Sequence, residues 1–268
     1  MVRPLPNLMV APTGARRSKA DHPALPITDT EIIETARLCQ DAGADGIHLH
    51  IRDTQGRHLL DAAHYRALLD RLNDEVPQMY LQVTSEAAGR YTATEQRAVM
   101  RDLRPAHVSV ALREMVRDPD DWPAARDFYH WAYDSGVEIQ HILYSPDDVR
   151  AFIAACEKGL IPDQTHLMIF VLGRYATGTR DGAALENYLE PFAKRDDMAF
   201  DWMTCAFGSA ETESLLQAVH LGGKMRVGFE NSLWHKDGSL AKDNTERVRA
   251  IVESLKSLDP TGQNNSAE

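Results

Sequence analysis

The chain has 268 residues, 43% hydrophobic and 26% charged, with a formal net charge of −11. That length suits one β/α barrel of about 250 residues or two small domains of ordinary globular composition. No apolar run approaches the roughly 18 residues of a membrane helix, residues 1–12 do not read as a signal peptide, and no basic stripe offsets the acidic balance as nucleic acid would require.

In chain order, short apolar strand candidates fall at Leu8–Pro12, Gly46–Ile51, Met79–Ser85, His107–Leu112, Val137–Leu143, His166–Gly173, Asp201–Gly208 and Lys224–Asn231, with helical stretches between them. Thr28 to Glu31 spells a capping box at the first helix, and Thr92 to Glu95 repeats it at the third. Ser145-Pro146 supplies an N-cap and a first-turn proline for the fifth. Gly43, Gly136, Gly159 and Gly222 stand where helices should stop. Strict alternation of eight strands and eight helices predicts an α/β fold, a single (β/α)8 TIM barrel over residues 1–258, with 259–268 as a disordered tail. A doubly wound sheet would want a glycine-rich phosphate turn after the first strand, and Pro12-Thr13-Gly14-Ala15 is not one. Three single cysteines (Cys39, Cys156, Cys205) without CxxC spacing fit a reducing, cytoplasmic compartment.

A β/α barrel builds its active site at the C-terminal ends of its strands. Side chains alternate along a strand, so His48 and His50 share a face, about 7 Å apart by strand rise, and can converge on one metal ion. On the eighth strand Arg226, Gly228 and Glu230 share a face, and in a closed barrel the second and eighth strands both flank the first. Two imidazoles and one carboxylate, with a position left open, form the donor set of a catalytic Zn2+ site. An HxH pair alone more often marks packed imidazoles; the strand end and Glu230 opposite favour the metal. Other polar residues fall on the expected barrel mouth. Thr13 ends strand one; Gln82, Thr84, Ser85 and Glu86 lie on or after strand three; Ser109 is on strand four; Glu138 and Gln140 share a face of strand five. Some of these serve only loop backbone groups. Arg16, Arg17 and Lys19 in the first loop, with Arg174 and Arg180 after strand six, are candidates to hold a carboxylate or phosphates. The remaining histidines read as packing or surface residues.

Residues 11–15, 23–28 and 42–53 (AGADGIHLHIRD), with Phe170–Gly173 and 222–231 (GGKMRVGFEN), together resemble the β-keto acid cleavage enzymes, whose type member is 3-keto-5-aminohexanoate cleavage enzyme. The resemblance implies a Zn-containing (β/α)8 barrel and a homo-oligomer. It also implies a reaction in which a β-keto acid and acetyl-CoA give acetoacetate and the CoA ester of the shortened acid. It implies metal ligands at His48, His50 and Glu230, an anion-holding arginine at Arg226 and a hydroxyl at Thr84. The chain also departs from the pattern. Asn231 stands where the family carries an acid that acts as base, Arg16 where it often has Glu, Glu86-Ala87 where it has two glycines, and Gln140 where strand five has a second Glu. Arg174–Thr177 replaces a glycine-rich turn.

An amide cannot accept a proton at neutral pH, so Asn231 cannot copy the family base. Glu86, on a loop able to meet the first loop above the metal, is either a solvated loop residue or the replacement for the missing carboxylate, as proton acceptor or as partner of Arg16. Arg16 in place of an acid suggests a second anionic group on the substrate. The expected catalytic set is therefore Arg226, Thr84, Glu86 and Asn231. Substrate contacts are expected from Thr13, Arg16, Ser85, Ser109 and Glu138, with CoA entering past Arg174 or Arg180. Two other readings stand beside this one. A metal-dependent hydrolase or lyase would act without CoA, and a metal-retaining binding protein that has lost its base would not turn over.

Overall fold

A strand covered on both faces needs apolar residues at nearly every position, and His166–Leu172 (HLMIFVL) is such a run. In the computed structural model, which describes residues 2–173, 184–193 and 195–258, eight parallel strands close into one barrel. They are β1 Leu8–Val10, β2 Gly46–Leu49, β3 Tyr80–Thr84, β4 His107–Ala111, β5 Glu138–Leu143, β6 His166–Leu172, β7 Phe200–Ala206 and β8 Lys224–Val227. Each pairs with its neighbours in sequence, and β8 closes on β1 from Leu8↔Met225 to Val10↔Val227. All eight candidate strands and the expected (β/α)8 barrel are present. The expected tail at 259–268 lies outside the described residues.

The outer helices are α1 Asp29–Asp41, α2 Ala62–Glu75, α3 Ala93–Leu103, α4 Trp122–Asp134, α5 Pro146–Glu157, α6 Leu185–Leu189, α7 Glu211–His220 and α8 Asn244–Leu258. Both capping boxes form, and the Ser145 side chain accepts from the Asp148 N–H with Pro146 in the first turn of α5. Gly43 and Gly136 sit just past α1 and α4 at φ +110° and +71°, the left-handed backbone that ends a helix cheaply only at glycine. Alternation then sorts the side chains. In β6, Leu167, Ile169 and Val171 join Met9, Met203 and Cys205 in a cluster inside the barrel. Met168 and Phe170 point the other way, into the larger core between strands and helices.

Two strands end sooner than the apolar pattern suggests, and both endings shape the mouth. β2 stops at Leu49 rather than running to Ile51; the chain then forms a short antiparallel ribbon, Ile51–Arg52 with His58–Leu59. β8 stops at Val227 rather than Asn231. Gly228 turns the chain at φ +140°, where a Cβ would stand 2.5 Å from the Ala11 carbonyl oxygen. Neither break changes the hydrophobic alternation, which is why the pattern hides them.

Candidate active site

The barrel interior presents His48 from β2, Gln82 and Thr84 from β3, Ser109 from β4, Gln140 from β5 and Arg226 from β8, all buried. His50 follows β2 and Glu230 follows the Gly228 turn, so neither owes its place to regular strand geometry. Instead the turn is clamped. The Gly228 N–H donates to Glu211 Oε1 (3.2 Å), the Phe229 N–H to Asn244 Oδ1 (2.9 Å) and the Glu230 N–H to the Ala11 carbonyl (3.0 Å). Arg17 donates to the carbonyls of Phe229 and Asn231. Glu211 is itself held by Arg247 at 2.6 Å, both side chains fully buried. Glu230 is therefore presented by a rigid loop.

His48, His50 and Glu230 each offer one ligand atom, and these atoms lie within 4.8 Å of one another. His48 Nε2 is 3.1 Å from His50 Nε2, and Glu230 Oε2 is 3.8 Å and 3.4 Å from those two nitrogens. Glu230 Oε1 accepts from Arg226 at 3.1 Å, whereas its buried Oε2 has no hydrogen-bond partner among the described residues. A buried carboxylate oxygen without a partner is costly, and a divalent cation is the group that two imidazoles and a carboxylate fit. Burial holds both imidazoles neutral. His48 is lowered to about 4 by desolvation, and Glu230 only partly opposes this. His50 is lowered well below the usual range by desolvation, then by His48 and His58. A neutral imidazole is the form that ligates.

His48 and Glu230 of this cluster line a cavity of about 570 Å³ together with Arg16, Thr84, Glu86 and Arg226. Glu86 Oε2 is 3.9 Å from His50 Nε2. Desolvation raises Glu86 to about 7, with Glu230 and Glu114 pushing the same way and Arg16 and Arg226 opposing. His58, on the ribbon, donates from Nε2 to the Glu86 carbonyl at 2.8 Å, and the Thr84 hydroxyl accepts from the Glu86 N–H at 3.0 Å. The Glu86 backbone is thus fixed from two sides.

Of the expected site residues, His48, Glu230, Arg226, Thr84, Glu86 and Arg16 line this cavity, and His50 stands behind His48 and Glu86. Others are placed differently. Thr13 donates to the Pro26 carbonyl (2.9 Å) and Ser85 to the Ser109 carbonyl (2.9 Å), so both hydroxyls serve backbone. Ser109 is fully buried within β4. Asn231 is fully buried beside Glu230 and is not among the lining residues. Glu138 requires a correction. It opens β5 at the far end of the barrel, where it accepts from the Arg3 N–H (2.6 Å) and faces His107 Nε2 at 3.6 Å. Alternation identifies the face of a strand, not its end, and a substrate at the mouth cannot reach Glu138. Of the basic run, Arg17 clamps the Gly228 turn and Lys19 pairs with Glu31 on the surface. Arg174 and Arg180 lie outside the described residues.

The cavity also contains residues not singled out from sequence: Arg113, Tyr144 and Phe207. Arg113 follows β4 directly on a short helical turn, Leu112–Met115, packs over the Tyr144 ring at 4.1 Å and pairs with Asp148. A charged Arg113-Glu114 pair breaking the apolar run at a strand's C-terminal end was the available signal.

Comparison with known proteins finds related sequences and folds. A family model for the beta-keto acid cleavage enzyme matches residues 7–262. A 3-keto-5-aminohexanoate cleavage enzyme from Fusobacterium nucleatum is 26% identical over 252 residues, 91% of this chain and 89% of that protein. A 3-oxoadipate:acetyl-CoA acetyltransferase from Cupriavidus necator is 27% identical over 254 residues, 91% and 86% of the two chains. Among solved structures, a ternary complex of ObcA with C4-CoA adduct and oxalate superposes at TM-score 0.69 and 18% identity, over 88% of this chain but only 64% of that longer one, a likeness of fold.

Proposed function

Because the chain belongs to the beta-keto acid cleavage enzyme family, and is thus an enzyme that cleaves C–C bonds and transfers acyl groups, we propose that it reacts a β-keto acid with acetyl-CoA, giving acetoacetate and the CoA ester of the shortened acid. The observation that carries this reading is the closed His48–His50–Glu230 cluster on the wall of a cavity of about 570 Å³. The relatives named as acetyl-CoA-dependent transferases support the co-substrate. His48 Nε2, His50 Nε2 and a Glu230 oxygen would hold the ion, for which Zn2+ is the best match to the donors. When bound, it supplies Lewis-acid polarisation of a substrate carbonyl and neutralises developing negative charge.

The chain's own residues do the rest. Arg226, anchored by Glu230 and by the Cys205 sulfur at 3.3 Å, presents a fixed guanidinium to the substrate carboxylate or to the enolate oxygen. Thr84 offers its hydroxyl hydrogen to a substrate oxygen, since its lone pair is engaged by the Glu86 N–H. Glu86 carries the carboxylate at the cavity wall that can take the proton from the carbon between the keto and carboxyl groups. The resulting carbanion attacks the thioester carbonyl of acetyl-CoA and expels CoA thiolate. The thiolate adds to the original keto carbonyl, and retro-Claisen cleavage releases the shortened acyl-CoA and the enolate of acetoacetate, which takes the proton back from Glu86. Asn231 keeps no part in proton transfer. Arg16 and Arg113, on the outer cavity wall, suit a second anionic group distal to the keto acid. The family resemblance favours a homo-oligomer, and a 30.0 kDa species by light scattering at micromolar concentration would refute it.

The decisive assay supplies Zn2+-loaded protein with saturating acetyl-CoA and a panel of β-keto acids, with and without a second carboxylate, scored for acetoacetate. Turnover of a dicarboxylic keto acid only when acetyl-CoA is present is the expected result. Turnover without CoA would mean a hydrolase or lyase, and tight binding with no turnover a binding protein.

A further inference from the structure

The polar layer that ends at His48 continues across the barrel interior. His48 Nδ1 is 2.8 Å from Gln82 Oε1, Gln82 Nε2 is 3.0 Å from Gln140 Oε1, and Gln140 Nε2 is 3.3 Å from the Met168 carbonyl oxygen. Gln82 and Gln140 are fully buried and His48 is 1% exposed. Each group must therefore find its partner within this row, because an unpaired buried amide is costly.

The far end fixes every orientation. A main-chain carbonyl can only accept, so Gln140 must turn its amide nitrogen to Met168 and its oxygen to Gln82. Gln82 must then turn its nitrogen to Gln140 and its oxygen to His48. The only proton left for that last contact is on His48 Nδ1, so Nε2 keeps its lone pair, and Nε2 is the atom that faces His50 and Glu230. Resting on the reading of His48 as a metal ligand, we propose that Gln82 and Gln140 are positioning residues which, anchored on the Met168 carbonyl, lock His48 as its Nδ1–H tautomer with the Nε2 lone pair aimed at the metal position. Without metal, His50 is then the donor of the 3.1 Å contact between the two Nε2 atoms. Metal binding thus requires only His50, whose Nδ1 has no partner among the described residues, to exchange its Nε2 proton for one on Nδ1.

Gln140→Met removes the anchor while keeping length and volume. The Gln82 amide can then turn over, the His48 proton moves to Nε2, and the lone pair facing Glu230 is lost. Gln140→Glu is the rescue, because a carboxyl group in either protonation state accepts from the Gln82 amide. The measurement is long-range 1H–15N NMR of the histidines in metal-free protein, followed by Zn2+ titration against a competing chelator. The wild type should show His48 as Nδ1–H. Gln140→Met should show both tautomers and bind Zn2+ about tenfold more weakly, the low end of the usual effect of residues supporting a ligand, and Gln140→Glu should restore both. His48 protonated on Nε2 in the metal-free wild type would overturn the proposal, and this reading stands even if a variant fails to fold. So would a folded Gln140→Met protein matching the wild type in tautomer and affinity. Wild type that shows Nδ1–H on His48 yet binds no Zn2+ would instead refute the metal reading and leave the lock standing.

Discussion

The two ends of the barrel carry nearly the same pair of groups and use them differently. At the mouth His50 Nε2 lies 3.4 Å from Glu230; at the base His107 Nε2 lies 3.6 Å from Glu138. At the base the surroundings hold both partners, although Glu138 Oε2, like Glu230 Oε2, has no hydrogen-bond partner among the described residues. His107 donates from Nδ1 to the Leu81 carbonyl and stacks on Tyr80 at 3.8 Å, and Glu138 accepts from the Arg3 backbone. Asp201 and Lys224 hold Leu5 from both sides, so residues 3–5 seal that end. At the mouth a second histidine arrives beside Glu230, and a cavity of about 570 Å³ opens next to them. A histidine–carboxylate pair is therefore not a site by itself; what distinguishes the mouth is a third donor and a cavity of about 570 Å³, against about 210 Å³ beside His107.

The largest effect that could break this contrast is loss of the proposed metal binding at His48, His50 and Glu230. His48→Ala with His50→Ala should abolish turnover and leave the protein unable to retain Zn2+ through gel filtration. His107→Ala should lower the melting temperature yet keep full metal content. Metal counts by mass spectrometry decide it, and a double mutant with full occupancy would sink the assignment.

The next concerns the acids. Glu86→Gln keeps shape and removes only charge, so kcat should fall about 100-fold or more, the usual scale of a general base. Glu138→Gln should leave kcat unchanged, because its contact with Arg3 survives as an amide. Near-normal kcat for Glu86→Gln on the true substrate would mean that the base is another group.

Arg113 tests the outer cavity wall. Its guanidinium is half exposed and already shared with Asp148, so its hold on a distal anionic group is worth less than a buried pair. Arg113→Ala should raise KM for a dicarboxylic keto acid about tenfold with little change in kcat. Equal KM changes for mono- and dicarboxylic substrates would show that Arg113 does not read the distal group.

The barrel was legible because it rests on local rules: alternating apolar strands, capping boxes at Thr28 and Thr92, and glycines past helix ends. The pairing of His48 and His50 with a carboxylate was legible because the two histidines are two residues apart and barrel closure sets β8 and β2 on either side of β1. What escaped depends on distance through space. Glu138 obeys the face rule and sits at the wrong end, Arg113 reaches the cavity from a turn outside any strand, and Glu230 depends on a Gly228 turn held by Glu211, Asn244 and Arg17 from other parts of the chain.

The smallest effect on catalysis should come from the base, and Asp201 is the place to measure it. Its Oδ2 accepts from the Leu5 N–H at 2.8 Å and from Lys224 Nζ at 2.6 Å, and Lys224 also donates to the Leu5 carbonyl at 2.7 Å. These contacts fasten the N-terminal segment over the interior cluster of Leu5, Met9 and Met203. Asp201→Ala removes the shared acceptor and leaves one backbone N–H and one ammonium without it. Hydrogen bonds to charged groups contribute about 1.5–3 kcal/mol, and partial exposure of Asp201 and Lys224 places this loss near the lower figure. For a chain of this size that is a melting temperature lower by about 3–6 °C. The mouth is built on the opposite ends of the same strands, with its own clamps at Gly228 and Glu86, so kcat and Zn2+ content should not change. Calorimetry paired with the acetoacetate assay separates the two quantities. A several-fold fall in kcat in fully metallated Asp201→Ala would show that packing at the base sets the geometry of the mouth, and that the two ends are one device.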